Sequence, residues 1–168
     1  MISRDRFKEF SVSKAILTIM MTLLLPITGF SLTGMKVKPV PPTKKNIFAL
    51  EGIFQGGDLK TKSVLKKLRF SAKKRSSERV VFDFGSKGLP ETYIYLSSKE
   101  GKINLDFGRT KLQSPIKPFF SSDVIKEVNF FPLAEQTLAA EIFIKKNVPV
   151  EVFYLKNPTR LVIDFKKN

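Results

Sequence analysis

The segment "RLVIDF" at residues 160–165 has a close relative in "KINLDF" at 102–107. A side-chain period of two places Leu161, Ile163 and Phe165 on one face of the first segment and Arg160, Val162 and Asp164 on the other. The same division sets Ile103, Leu105 and Phe107 against Lys102, Asn104 and Asp106. Each reads as a strand with one apolar face that must be covered and one face that meets solvent or a ligand.

Outward from these two segments the chain is written twice. "VLKKLRF" at 64–70 answers "VIKEVNF" at 124–130, and "RVVFDF" at 79–84 answers "AAEIFI" at 139–144, both at an offset of 60. "ETYIYL" at 91–96 answers "VEVFYL" at 150–155 at an offset of 59, which pairs Tyr95 with Tyr154; the closing pair is offset by 58. Four short segments per half, over 64–107 and 124–165, are rich in β-branched and aromatic residues and bounded by "GSKG", "SSKEG", "KNVP" and "KNPT", so they read as strands. "SSDVIKEVNFF" also carries a helix start at Ser122 or Asp123 with Glu127 reaching back. Strand is favoured because both copies alternate Val or Leu with charge before an aromatic. The expected fold is all-β: a sandwich of two pseudo-symmetric four-stranded antiparallel sheets from an internal duplication, one sheet from each half, covering each other's apolar faces.

The 168 residues suit one domain, expected over 61–168, with 42% hydrophobic residues and 16 Phe to supply its core. Thirty Lys plus Arg against 15 Asp plus Glu, a formal charge of +15, attract polyanions as a class: nucleic acid, anionic lipid or anionic cell-wall polymer. The chain has no Cys and no His. The usual zinc ligands are therefore missing, and no imidazole exists to take a nucleophile's proton, so no metal, no cofactor and no catalytic triad are expected. "DFG" at 83–85 and 106–108 lacks every other part of a kinase, and "S-x-x-K" at 63–66 and 71–74 is a chance spacing in a lysine-rich chain.

Residues 1–31 combine Arg4, Arg6, Lys8 and Lys14 with the apolar run "AILTIMMTLLLPITGFS", which reads as an export signal with Gly29 and Ser31 at the −3 and −1 positions of a cleavage site. An uncleaved inner-membrane anchor is the competing reading, since the run approaches the roughly 20 residues that span a bilayer. Either way the folded part is expected outside the cytoplasm, in the periplasm, which argues against a nucleic-acid partner. Residues 32–60 read as a linker, in which "MKVKPVPPTKKN" at 35–46, with Pro39, Pro41 and Pro42 among lysines, is a solvated polyproline spacer. "IFALEGIFQGGDLKTK" at 47–62, which follows the proline–lysine stretch, either adds a strand or only leads into the domain.

On these residues the chain resembles the AMIN domain, the module at the N-terminus of periplasmic N-acetylmuramoyl-L-alanine amidases and in type IV pilus secretins. The likeness covers about 64–168 and is best in the second half, "VIKEVNFFPLAEQTLAAEIFIKKNVPVEVFYLKNPTRLVIDF", with its P-x-R-L-V-I-D ending at Pro158, Arg160, Leu161, Val162, Ile163 and Asp164. The resemblance implies a non-catalytic, stand-alone module that binds peptidoglycan and localises or helps assemble an envelope complex. A protein–protein adaptor docking on a secretin or divisome component is the alternative. The first copy departs from the pattern, with Lys102 in place of Arg and no preceding Pro, and the run "KTKSVLKKLRFSAKKRSSER" is more basic than the family's.

The motif carries ligand-binding roles to Arg160 and Asp164, and by the repeat to Lys102 and Asp106. Arg offers a fork of donors to stem-peptide carboxylates, and Asp accepts from sugar hydroxyls or amides. The opposing reading pairs each with a neighbouring strand. Four residues of strand separate Arg160 from Asp164 by about 13 Å, too far for the two to pair. Tyr95 and Tyr154 could stack on sugar rings or sit half-buried with the hydroxyl at an edge. The basic run from Lys60 to Arg79 could hold anionic glycan or lipid headgroups, or simply keep a strand edge solvated.

Overall fold

A computed structural model of the chain describes residues 34, 36–73, 76–116, 119–120, 122–134, 136–145 and 147–167. The export or anchor segment expected at 1–31, and its cleavage after Ser31, lie outside the described residues. Among them every regular element is a strand: β1 (Val37–Pro39), β2 (Glu51–Gly56), β3 (Ser63–Lys73), β4 (Ser77–Phe84), β5 (Thr92–Ser97), β6 (Lys102–Gly108), β7 (Thr110–Leu112), β8 (Phe119–Phe120), β9 (Ile125–Ala134), β10 (Thr137–Ile144), β11 (Val150–Leu155) and β12 (Arg160–Lys166). The helix start signalled at Ser122 or Asp123 instead leads into β9.

Two sheets form, in the orders β1-β2-β5-β6-β10-β9-β8 and β11-β12-β4-β3-β7. The halves therefore interleave. The first sheet takes β5 and β6 from the first copy and β9 and β10 from the second, and the second sheet takes β3 and β4 from the first and β11 and β12 from the second. This corrects the expectation of one sheet per half. The register follows the repeat all the same: Asp106 faces Ala139 between β6 and β10, and its counterpart Asp164 faces Arg79, the counterpart of Ala139, between β12 and β4. With this exchange the inner faces of both copies contribute to both sheets and to one shared core. Phe82 of the second sheet meets Phe107 at a tilt and Phe130 edge-on in the first, at 5.4 and 6.2 Å between ring centroids, and Phe84 meets Phe107 at 5.2 Å. Around them Ile94, Leu105, Ile142, Leu161, Ile163 and Phe165 are fully buried. Their removal from water is the largest stabilising contribution in the molecule.

The register corrects one matched pair. Tyr93 faces Asp106 and Glu151 faces Asp164, so β5 and β11 are offset by 58 residues and not 59. Tyr95 then corresponds to Phe153, and Tyr154 to Leu96. A one-residue slip moves a strand residue to the opposite face: Tyr154 packs against the shared core while Tyr95 lies on the outer face of the first sheet.

Of residues 32–60, expected to be a linker, the described ones carry two strands, and β2 falls in the stretch that could add a strand or only lead into the domain. β1 and β2 extend the first sheet beside β5. Gly57, at φ +84°, turns the chain after β2 so closely past Pro90 that a Cβ would come within 1.9 Å of its carbonyl oxygen. Between β1 and β2, the segment 41–50 straps the open edge of β11. Ala49 and Val150 exchange backbone hydrogen bonds of 2.9 and 2.8 Å, and the Tyr154 amide donates to Pro41 O at 2.9 Å.

Candidate functional site

The outer face of the second sheet carries the motif residues. β12 presents Arg160, Val162, Asp164 and Lys166 there, because Leu161, Ile163 and Phe165 are committed to the core. Across from them stand Asp83, Val81 and Arg79 of β4, then Lys67, Arg69 and Ser71 of β3, with Glu151, Phe153 and Leu155 of β11 on the other side. Val81, Phe153 and Val162 form a small apolar floor with Leu155 packed against it. Above that floor a shallow cavity of about 260 Å³ is lined by Arg69, Arg79, Arg160, Val81, Leu155 and Val162.

Two of the three guanidinium groups are spoken for. Arg79 places Nε and Nη2 on the two oxygens of Asp164 at 2.5 and 2.7 Å, and Arg69 does the same to Asp83 at 2.6 and 2.7 Å. Such two-point forks are the strong form of the contact. Arg160 stands opposite Asp83 in the register, but Arg69 has taken both oxygens of that carboxylate, and the Arg160 Nε donates only to Pro158 O at 3.3 Å. It is the one cation of the three without an acid partner among the described residues. The Arg69 pKa is raised by its hydrogen bond to Asp83, and that of Arg79 by its hydrogen bond to Asp164.

The strap claims the carboxylates. Asp164 and Glu151, neighbours across β12 and β11, are both only 2% exposed although they belong to an outer face. Lys44 places its ammonium 2.9 Å from Asp164 and 3.9 Å from Glu151. Asn46 adopts φ +57°, and the amides on either side of it, Lys45 and Ile47, converge on Glu151 Oε1 at 2.8 and 3.3 Å. This is an anion-binding backbone nest, filled here by a side chain of the same chain. Burial alone raises the Asp164 pKa, yet the hydrogen bonds from Arg79 and Lys44 outweigh it and hold the carboxyl below its ordinary value.

The six residues singled out from the sequence are thus not brought together. Arg160 and Asp164 share the second sheet's face, where Asp164 is enclosed by its own chain. Lys102, Asp106 and Tyr95 lie on the outer face of the first sheet, with Lys102 paired to Glu141 at 2.5 Å and over the Phe143 ring at 5.3 Å. Tyr154 serves the core. Sequence reasoning missed Lys44, Glu151 and the individual parts played by Arg69 and Arg79, since only the non-local register of β3, β4 and β12 brings those arginines beside the motif. Among the described residues no group of three or more acidic side chains is placed to hold a metal ion.

No protein-family model matches this chain, and no curated protein and no solved structure is similar to it.

Proposed function

We propose that this chain is a non-catalytic, AMIN-type binding module that attaches to peptidoglycan and thereby localises or helps assemble a cell-envelope complex, its folded part lying in the periplasm. The observation that carries this reading is Arg160, without an acid partner among the described residues, at the apolar-floored cavity and inside the P-x-R-L-V-I-D motif. Its fork is shaped for a carboxylate, and stem peptides present carboxylates at their termini. Arg69 and Arg79 are neutralised by their own carboxylates and do not compete for the same partner. The enclosed Asp164 takes no part in binding; its work is to hold Arg79 and Lys44. The interleaved repeat fits a duplicated module that presents one outer face from each sheet.

Co-sedimentation of the full chain with isolated sacculi, at low and at physiological salt, tests this. Binding is expected to persist at physiological salt and to fall several-fold in Arg160→Ala, with the unfolding midpoint unchanged. Binding that disappears with salt, or that Arg160→Ala leaves intact, would reduce the surface to a diffuse polycation and favour the adaptor reading. Recovery of the chain from the cytosol would count against the location.

A further inference from the structure

The outer face of the first sheet is built by the same repeat but has opposite chemistry. Where Asp164 meets Arg79, Asp106 meets the methyl group of Ala139. Asp106 has no cation partner among the described residues, and burial raises its pKa. Beside it the Asn104 Oδ1 is covered and receives no hydrogen bond. Glu141, next to Asn104 across the strands, is already joined to Lys102. The face thus holds one open acceptor, Asp106, without a donor among the described residues.

Aromatic rings stand on either side. The row through Asp106 and Ala139 begins at Tyr93 and ends at Phe131, which are 39% and 43% exposed. Tyr95 lies in the next row, beside Asn104. Three strand spacings separate Tyr93 from Phe131, about 14 Å, with the small Ala139 lowering the floor between them. That leaves room for two pyranose rings lying across the strands. An anionic ligand would be repelled by Asp106 and Glu141. A sugar ring with free hydroxyls suits both features, since its hydroxyls donate to Asp106 and its C–H face rests on Tyr93.

We propose that this face is a saccharide-binding site for uncharged pyranose units of a glycan chain, with Tyr93 as the stacking platform and Asp106 as the hydroxyl acceptor. The inference does not rest on the carboxylate reading of Arg160, because it uses the opposite sheet and the opposite charge.

Isothermal titration of the full chain with a β-1,4-linked N-acetylglucosamine hexamer tests it. Saturable binding is expected. Tyr93→Ala and Asp106→Asn should each weaken it by roughly ten-fold, Tyr93→Phe should retain it, and Arg160→Ala should leave it unchanged. Amide shift changes in the unmodified chain should fall on β5, β6 and β10, a measurement that stands even where a variant fails to fold. The proposal is overturned by the absence of saturable binding, by full affinity in both folded variants, or by loss confined to Arg160→Ala. It is equally overturned if the shift changes fall on β4 and β12, or if a lysine-rich peptide saturates the face and the sugar does not.

Discussion

Asp106 and Asp164 occupy equivalent positions in two copies of one strand, each followed by Phe, and their surroundings give them opposite signs. The folded-state pKa of Asp164 is depressed, so its contribution to stability is present above the unfolded value and is lost as pH falls through the folded one. Asp164→Asn should therefore destabilise by about 1.5–3 kcal/mol at neutral pH, discounted toward the lower figure because Arg79 and Lys44 are partly solvated, and the deficit should shrink below about pH 4. Thermal melts of both proteins from pH 7 to pH 3 measure this. The folded-state pKa of Asp106 is raised, so its ionisation weakens the fold as pH rises past the unfolded value. Asp106→Asn should leave stability unchanged or raise it by up to about 0.5 kcal/mol at neutral pH, with the gain vanishing in acid. Ala139→Arg restores the missing partner, and a carboxyl NMR titration should then find Asp106 titrating below the ordinary value instead of above it. The motif made Arg160 and Asp164 legible as a related pair of outward residues. It could not reveal which was already taken, because Arg79 is 85 residues from Asp164 and Lys44 comes from a stretch whose prolines and lysines resemble a solvated spacer.

That stretch shows how an element can escape sequence reading. The strap at 41–50 has no apolar alternation, and its backbone bonds are satisfied by the edge of β11 and by a buried carboxylate, neither of which is local. The result protects an edge that would otherwise offer unpaired backbone groups to another chain. Asn46 carries the left-handed turn on which the nest depends. Asn46→Val should cost about 1–3 kcal/mol, since a β-branched residue is strained at that φ. Hydrogen exchange would locate the damage: the Lys45, Ile47 and Ala49 amides should speed up while those of β4 and β12 keep their protection. A similar limit explains the slipped register of β5 and β11. In β5 the alternation of Thr92, Ile94 and Leu96 against Tyr93 and Tyr95 is plain, but β11 is covered by the core on one side and by the strap on the other. A strand buried on both faces loses its period of two, and the shared Tyr then invites the wrong alignment.

At the scale of the whole molecule the eight repeat strands were legible and their partition between sheets was not. Segment similarity fixes which strands are equivalent, and both a segregated and an interleaved arrangement satisfy it. The choice rests on packing. Phe107 of the first copy's β6 lies against Phe82 and Phe84 of the same copy's β4 in the opposite sheet, so each half spans the core instead of forming one wall of it. Phe107→Ala should accordingly cost about 3–5 kcal/mol, read from a denaturant melt, because it opens a cavity between both sheets. Interleaving also makes the halves mutually dependent. Without β12, the edge of β4 is left unpaired and the inner residues Val80 and Phe82 lose Ile163 and Leu161 beside them; without β10, β6 is left in the same state. A chain divided between 114 and 119 should yield two fragments that are each unfolded by circular dichroism, whereas mixing them should recover the sheet signal and the cooperative melt of the intact protein. The association should be slow, since the pairing of β4 with β12 and of β6 with β10 brings together strands far apart in the chain. Segregated halves would give the opposite result, with each fragment folding its own sheet and mixing adding little, so the fragments report directly on the strand exchange.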